Sequence, residues 1–306
     1  MNFLHTLRDL FRPPQPPASE AVQAMRSHKV YCIGPHGLHR MAYTEWGDPH
    51  NPKVLLCVHG LTRNGRDFDM LAQALSDEYR VICPDIAGRG HSDWLTCKED
   101  YILPVYVADI ITLIARLNVE TVHWVGTSMG GLIGMMIASQ PLSPISRLVL
   151  NDVGPKITVA ALRRIGKYVG DTPRFTSHQE AETYLREICA PFGPLTDAQW
   201  KHITTHSTRI EPDGALTMAY DPGIGETFRH TPVLMDIDMW TIYDQITCPT
   251  LVLRGGNSDL LEYSTLKAME QRGPHARTIQ FPGVGHAPML MARDQINAIR
   301  TFLLDA

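Results

Sequence analysis

A serine, a histidine and two aspartates have the residue types and the chain order needed for nucleophilic attack on a carbonyl group. Ser128 lies in the run GTSMGG from Gly126 to Gly131. Because a serine hydroxyl is a weak nucleophile until a base takes its proton, a histidine has to come close to it. His286 is the best candidate, since it follows a late strand-like run in the glycine-containing loop FPGVGHAP. These residues predict covalent catalysis with Ser128 as nucleophile and His286 as general base.

An acid that orients the histidine is expected between Ser128 and His286 in chain order, at the end of a strand. Asp259 follows the strand-like run at Leu251–Leu253 in a loop that contains two glycines. Asp152 follows the run at Leu148–Leu150. We favour Asp259 as the acid, because a glycine-rich loop allows a side chain to reach the imidazole, and we keep Asp152 as the alternative.

The negative charge that develops on the carbonyl oxygen during attack needs backbone N–H donors. One donor is expected at Met129, directly after the nucleophile. The other is expected at Leu61, in the loop that begins with His59-Gly60 after the run Val54–Val58. His59 itself is expected to fix this loop rather than to act as an acid or base.

Further polar and aromatic residues are candidates for binding the substrate. Arg63 and Asn64 flank the loop of the backbone donors, and Trp240 lies in an aromatic-rich part of the chain. His202 and His206 have the spacing of zinc ligands on a helix, but no third ligand is evident. We therefore predict a solvated helix face there, and a site that uses neither a metal nor a cofactor.

The segments between these residues alternate between strand-like and helix-like patterns. Apolar strands that alternate with amphipathic helices predict a mostly parallel sheet with helices on both faces. The first two strands are too close in sequence for a crossover helix, which predicts an antiparallel hairpin at one edge. Strand-like runs are His28–Ile33, Leu38–Glu45, Val54–Val58, Arg80–Cys83, Val122–Val125, Leu148–Leu150, Thr250–Leu253 and Thr278–Phe281. Helix-like runs between or after them are Phe68–Leu75, Pro104–Leu117, Met129–Ser139, Ser264–Gln271 and Gln295–Leu304.

The alternation stops between residues 152 and 247, where helix-like runs follow one another without strand-like runs between them. An all-helical insert in such a series is expected to cover the carboxyl ends of the strands, where α/β sheets bind ligands. The predicted organisation is a core of residues 28–151 and 248–306, a helical cap of residues 152–247, and an N-terminal arm of residues 1–27. The helix-like runs of the insert are Val159–Tyr168, His178–Ala190, Thr196–His206 and Pro232–Tyr243.

The sequence from about residue 28 to the end resembles the α/β-hydrolase family, and within it the bacterial capped esterases and related lactone or oligoester hydrolases. This resemblance implies an eight-stranded sheet and a Ser–Asp–His triad. Dehalogenases and most epoxide hydrolases of this fold have Asp where Ser128 stands, which excludes those activities. The segments that carry the resemblance are His59-Gly60, Pro84–Ser92, Gly126–Gly131, Asp259 and Gly285-His286.

Composition and charge exclude other classes of function. The chain of 306 residues is 44% hydrophobic and 20% charged, with a formal net charge of −4, and no basic block is present that would bind nucleic acid. The six cysteines form no C-x-x-C pair, which argues against a redox motif and favours a reducing compartment. Neither a signal peptide nor a transmembrane run is expected, so the cytoplasm is the predicted location.

The N-terminal arm combines an apolar helix-like stripe, which includes Phe3, Leu7 and Phe11, with the spacer Pro13–Pro17. Such a stripe has to be buried against its own domain, a second subunit or a membrane surface. The stiff proline spacer favours a second subunit and thus a homodimer, whereas one short stripe buries little area on a membrane.

The residues and the resemblance together predict hydrolysis of small to medium carboxylic esters through an acyl-enzyme intermediate. Alternatives on the same site are a lactonase, a carbon–carbon bond hydrolase, a perhydrolase and an acyltransferase. Many carbon–carbon bond hydrolases have further glycines in the loop that follows His59-Gly60 here. This chain lacks them, which argues against that reaction. An alternative of another class is a ligand-binding receptor with a slow triad, because one fold carries many functions.

Overall fold

An eight-stranded sheet forms the centre of the computed structural model, which describes residues 25–226, 228 and 235–305. Its strand order is β1-β2-β4-β3-β5-β6-β12-β13. β1 and β2 form the expected antiparallel hairpin, and β2 also pairs antiparallel with β4. The remaining neighbours in this order, from β4 through β3, β5, β6 and β12 to β13, pair in parallel. The strands are β1 (Arg26–Gly34), β2 (Gly37–Trp46), β3 (Val54–Val58), β4 (Arg80–Pro84), β5 (Val122–Thr127), β6 (Ile145–Asn151), β12 (Thr250–Gly255) and β13 (Arg277–Phe281).

Helices on both faces bury the sheet. All five residues of β3 are buried, and they alternate between two hydrophobic clusters, with Leu56 and Val58 in one and Leu55 and Cys57 in the other. This two-sided burial explains why the central strands have nearly continuous apolar sequences. The eight strands and the five core helices predicted from the sequence are confirmed. These helices are α1 (Asp69–Leu75), α2 (Leu103–Leu117), α3 (Met129–Ala138), α8 (Tyr263–Gln271) and α9 (Arg293–Leu304).

The insert between β6 and β12 contains helices and short strands, so the prediction of an all-helical insert is wrong. β8, β10 and β9 form a three-stranded sheet, and β7 pairs with β11. Strands of two or three residues are too short to show the alternation that identifies a strand in a sequence. The elements are β7 (Lys156–Ile157), α4 (Val159–Ile165), β8 (Arg174–Phe175), α5 (His178–Ile188), α6 (Asp197–Ser207), β9 (Thr208–Ile210), β10 (Leu216–Met218), β11 (Ile237–Asp238) and α7 (Trp240–Tyr243).

Two predictions on chain segments have a different outcome. The helix predicted over Pro232–Tyr243 is limited, among the described residues, to α7. The stripe and proline spacer of the N-terminal arm lie outside the described residues. Within residues 25–226 and 235–305, no helix combines the length and the apolar character needed to span a bilayer.

Candidate active site

Ser128 lies on the turn between β5 and α3, as the sequence predicts. Its backbone has φ 52° and ψ −114°, a conformation that side chains larger than hydrogen rarely adopt. Two close approaches require the neighbouring glycines. A Cβ atom at Gly126 would lie 2.3 Å from the Gly130 carbonyl oxygen, and one at Gly130 would lie 2.0 Å from the Val58 carbonyl oxygen.

His286 lies beside this serine, in the loop that follows β13. Its Nε2 atom is 3.0 Å from the Ser128 Oγ atom, which is hydrogen-bond distance for a base and the hydroxyl whose proton it takes. The imidazole is largely buried, with 14% of the side chain exposed. The structure therefore brings together the two side chains that the sequence places 158 positions apart.

Asp152, rather than Asp259, contacts the other nitrogen of this imidazole. Its Oδ2 atom lies 2.8 Å from His286 Nδ1, and its side chain is fully buried directly after β6. Its carboxylate also accepts hydrogen bonds from the Gly255 N–H at 2.7 Å and the Ser258 hydroxyl at 2.6 Å. Three hydrogen-bond contacts thus hold the carboxylate, and one of the three is with the histidine.

The structure does not support the preference for Asp259, because Asp152 contacts the imidazole and the Asp259 carboxylate pairs with an arginine instead. Asp259 is 53% exposed and forms an ion pair with Arg164 of α4, with Nε–Oδ2 at 2.5 Å and an Nη2 hydrogen bond to Oδ1 at 2.9 Å. The glycine-rich loop after β12 has a supporting role, since its Ser258 holds Asp152. Arg254 braces that loop by donating to the carbonyl oxygens of Gly256, Ser258 and Leu261.

The loop after β3 has a fixed peptide plane at the predicted backbone donor. The Gly60 carbonyl oxygen accepts hydrogen bonds from His59 Nδ1 at 2.7 Å and from the Arg63 N–H at 3.1 Å. Because a trans peptide points its C=O and N–H in opposite directions, these two bonds also fix the direction of the Leu61 N–H. Arg89 adds a bond from its Nε to the Leu61 carbonyl oxygen at 2.8 Å.

His59 fixes this loop in its neutral form. Its Nε2 accepts the Ile86 N–H at 2.9 Å, so Nδ1 carries the proton that is donated to Gly60. Complete burial lowers the pKa of His59 to about 3, because the charged imidazolium loses its hydration there. The expected loop-fixing arrangement of His59 is confirmed.

The second predicted donor, the Met129 N–H, lies at the first position of α3, where no carbonyl of the helix is available to accept it. Among the described residues, neither the Met129 nor the Leu61 N–H donates to another protein group. Gly130 donates to the His59 carbonyl oxygen at 3.1 Å, which ties the start of α3 to the loop of Leu61. These two N–H groups are therefore available as donors, one directly after Ser128 in the chain and one in a loop that lines the same cavity as Ser128.

A cavity of about 90 Å³ opens beside Ser128 and His286. Residues of the core loops and residues of the insert both line it. Most of the insert's lining side chains are apolar. The lining residues from the core are Gly60, Leu61, Thr62, Arg63, Asp67, Thr127, Ser128, His286, Ala287 and Met289, and those from the insert are Arg164, Ile165, Tyr168, Leu185, Ile188, Cys189, Pro191, Phe192 and Met218.

Of the three predicted substrate contacts, one lines this cavity. Arg63 does, and it is held by Asp67 at 2.9 and 2.6 Å and by the Ser207 hydroxyl at 2.8 Å. Asn64 does not line it, because its amide donates to the His206 carbonyl oxygen at 2.7 Å and joins the loop to α6. Trp240 does not line it either, since its ring packs against the Arg272 guanidinium at 4.1 Å.

His202 and His206 acquire a neighbour that the sequence did not indicate. One carboxylate oxygen of Asp69 and one ring nitrogen of each histidine form a group of three atoms that all lie within 4.8 Å of one another. Arg66 already pairs with Asp69, with Nε 2.9 and 2.8 Å from the two oxygens, so a metal ion would have to displace this cation. Two other groups of comparable spacing among the described residues are Cys32, His39 and Asp109, and His36, Cys97 and Asp100. None of these side chains lines the cavity at Ser128.

The architecture and the placement of the serine together define a class. A mostly parallel sheet with a serine on a strained strand–helix turn, and an imidazole at hydrogen-bond distance, is typical of hydrolases built on this fold. A family model described as the α/β-hydrolase fold matches residues 53–291. The chain therefore belongs to the α/β-hydrolase family, as the resemblance implied.

Individual proteins are also similar over nearly the whole chain. A 3-hydroxybutyrate-oligomer hydrolase of Cupriavidus necator is 48% identical over 284 residues, which cover 90% of this chain and 97% of that protein. A solved structure from Rickettsia typhi is 33% identical with a TM-score of 0.86, covering 93% of this chain and all of the other. An α/β hydrolase of Novosphingobium aromaticivorans is 36% identical with a TM-score of 0.80, covering 90% and 98% of the two chains.

Proposed function

We propose that this chain hydrolyses short linear oligoesters of a 3-hydroxy acid, with Ser128 as nucleophile, His286 as general base and Asp152 as the acid that orients the histidine. The chain is an enzyme of the hydrolase class that acts on ester bonds. The observation that carries the assignment of residues is the continuous chain of contacts from Ser128 Oγ to His286 Nε2 at 3.0 Å and from His286 Nδ1 to Asp152 Oδ2 at 2.8 Å.

In the first step the Ser128 oxygen attacks the ester carbonyl carbon while His286 Nε2 takes the hydroxyl proton. The Asp152 carboxylate accepts the Nδ1–H, keeps Nε2 unprotonated before attack and stabilises the imidazolium that forms. The C–O bond to the alcohol then breaks, and His286 returns the proton to the leaving oxygen. The product of this step is an acyl-enzyme on Ser128.

The N–H groups of Leu61 and Met129 are proposed to bind the oxyanion of the tetrahedral intermediate. Both are held in place before substrate arrives, so no reorganisation is needed as charge develops. Water then attacks the acyl-enzyme with His286 again as the base, and the carboxylic acid leaves. This cycle uses no metal ion and no cofactor.

The substrate class rests on the relative from Cupriavidus necator and on the cavity. Identity of 48% over 97% of that protein supports a related substrate, and a lining that is mostly apolar with a volume of about 90 Å³ suits a short aliphatic acyl chain. We also propose that residues 152–247 act as a cap, since the side chains of this segment line the cavity over Ser128.

Location and assembly are further proposals. All six cysteines are unpaired, which favours the reducing environment of the cytoplasm. A homodimer contact through the N-terminal arm, in preference to a membrane contact, rests on the sequence pattern alone.

The proposed function can be tested with two sets of substrates. These are linear dimers and trimers of 3-hydroxybutyrate, and p-nitrophenyl esters of increasing acyl length. We expect monomer release from the dimer and trimer with kcat above about 1 s⁻¹, the lower end of the ordinary enzyme range, and a decline in kcat/KM for p-nitrophenyl esters with long acyl chains. Product chromatography gives the rates. Turnover of p-nitrophenyl acetate without turnover of the oligomers would reject the substrate but not the ester chemistry, whereas tight binding of the oligomers with negligible turnover would indicate a receptor.

Replacing His59 with leucine tests the fixed peptide of Leu61. Losing one oxyanion donor typically costs about 10²–10³ in kcat, and His59→Leu only loosens a donor, so we expect kcat to fall about 10- to 100-fold with a small change in KM. His123→Leu is the matched control, because His123 is a histidine of β5 whose Nδ1 contacts the Tyr79 hydroxyl at 2.8 Å, away from the cavity. Equal losses of kcat in the two variants would contradict the role of His59.

A further inference from the structure

Arg164 brings a second guanidinium to the cavity of the nucleophile. It lies on α4 of the insert, and its side chain, 37% exposed, lines the same cavity as Ser128 and His286. Neither the sequence motifs nor the proposed triad assigns it a task. Its position in a small cavity places it within reach of a substrate whose ester group contacts Ser128.

The positive and negative charges of the side chains that line the cavity do not cancel. Apart from His286, the charged side chains are Arg63, Asp67 and Arg164. Arg63 and Asp67 neutralise each other through two hydrogen bonds of 2.9 and 2.6 Å. An anion that approached Arg63 would therefore also meet the Asp67 carboxylate, so Arg164 is the cation whose charge is not cancelled within the lining.

The partner of Arg164 lies outside the cavity. Asp259 is 53% exposed and is not a lining residue. Its carboxylate lies 2.5 Å from Arg164 Nε and accepts a hydrogen bond from Nη2 at 2.9 Å, and within the described residues no second carboxylate pairs with this guanidinium. Since ion pairs that are this exposed to solvent are weak, a second carboxylate inside the cavity can share or replace Asp259 at little cost.

A linear oligoester of a hydroxy acid ends in a free carboxylate, and the ester nearest to that end joins the terminal unit through its own hydroxyl oxygen. We infer that Arg164 binds this terminal carboxylate, so that Ser128 attacks the ester next to it and the terminal unit leaves as a free hydroxy acid. This inference rests on the proposed function. It makes the enzyme one that removes single units from the carboxylate end, with the carboxylate carried by the leaving alcohol.

Two matched substrates test the inference: the 3-hydroxybutyrate dimer with its free carboxylate, and the same dimer with that carboxylate converted to a primary amide. A hydrogen bond to a charged group contributes about 1.5–3 kcal/mol, so we expect the intact enzyme to favour the free acid at least about tenfold in kcat/KM. In Arg164→Gln the ratio should fall to about two or less. Arg163→Gln is the control, because it removes the same charge from an exposed neighbouring position on α4 that does not line the cavity, and its ratio should equal that of the intact enzyme.

Product chromatography measures the rates on both dimers, and p-nitrophenyl acetate, which has no carboxylate, reports the state of the catalytic centre in each variant. A ratio near one in the intact enzyme, or an unchanged ratio in Arg164→Gln, would overturn the inference while leaving the proposed function in place. If the intact enzyme cleaved p-nitrophenyl acetate but neither dimer, the proposed substrate would fall and the inference with it.

Discussion

Ser128→Ala is expected to lower kcat by about 10⁶, the loss that follows when the nucleophile of a serine hydrolase is removed. The variant keeps the imidazole, the Asp152 carboxylate and both backbone donors, but no oxygen is left to form the acyl-enzyme. Turnover of p-nitrophenyl acetate and covalent labelling by a fluorophosphonate, followed by peptide mapping, measure the effect. Labelling should be confined to the peptide with residue 128 and should be absent from the variant.

Ser139→Ala is the matched control for this substitution. Ser139 follows the other end of α3, and its hydroxyl donates to the Met136 carbonyl oxygen at 3.0 Å, so the same atoms are removed far from the imidazole. Its kcat should stay within about twofold, because the substitution removes one neutral hydrogen bond to the backbone and no group that contacts Ser128 or the imidazole. Persistent labelling of Ser128→Ala at another residue would show that the nucleophile lies elsewhere.

The positions of Ser128 and His286, the proposed nucleophile and base, could be predicted because local requirements reveal them. Gly126 and Gly130 are needed where an added Cβ atom would lie 2.3 and 2.0 Å from backbone oxygens, far inside van der Waals contact distance, so the turn is visible as a spaced pair of glycines. The apolar run of each central strand is likewise a direct result of burial on both faces. His286 then follows from chain order and from the strand before it.

The acid could not be ranked in this way, because the choice depends on contacts between distant segments. Both aspartates follow strands, and chain order allows either. Asp259 forms an ion pair with Arg164, which lies 95 positions earlier in the insert. No local sequence pattern indicates that ion pair. In the structure Asp152 has φ 54°, a conformation that Asp adopts more readily than most residues, but since both candidates are aspartates, residue type could not separate them.

Substrate contacts were the least predictable part of the site. Trp240 was chosen for its apolar character, but its ring packs against the Arg272 guanidinium and does not line the cavity. Arg164, which lines the cavity, was not among the candidates because a single arginine on a helix of the insert has no spacing that marks it. Which side chains of an insert reach a cavity depends on how the insert packs on the core, and this packing is spread over many small contacts.

Asp152→Asn is expected to lower kcat by about 10⁴, the loss seen when an orienting carboxylate becomes an amide. The amide oxygen would face the Gly255 N–H, which only donates, so the NH₂ group would face Ser258 and His286. It would then donate to Nδ1 and force the imidazole proton onto Nε2. In that tautomer Nε2 cannot take the proton of the Ser128 hydroxyl.

Asp259→Asn is the same chemical change at the residue first favoured from the sequence, and it serves as the control. It weakens only an exposed ion pair with Arg164, so kcat for p-nitrophenyl acetate, which carries no charge for Arg164 to bind, should change less than about fivefold. The two variants are compared at equal folded fraction, established by thermal unfolding. A larger loss in Asp259→Asn than in Asp152→Asn would mean that the loop after β12 moves during catalysis to bring Asp259 to the imidazole, and that Asp152 is a structural carboxylate.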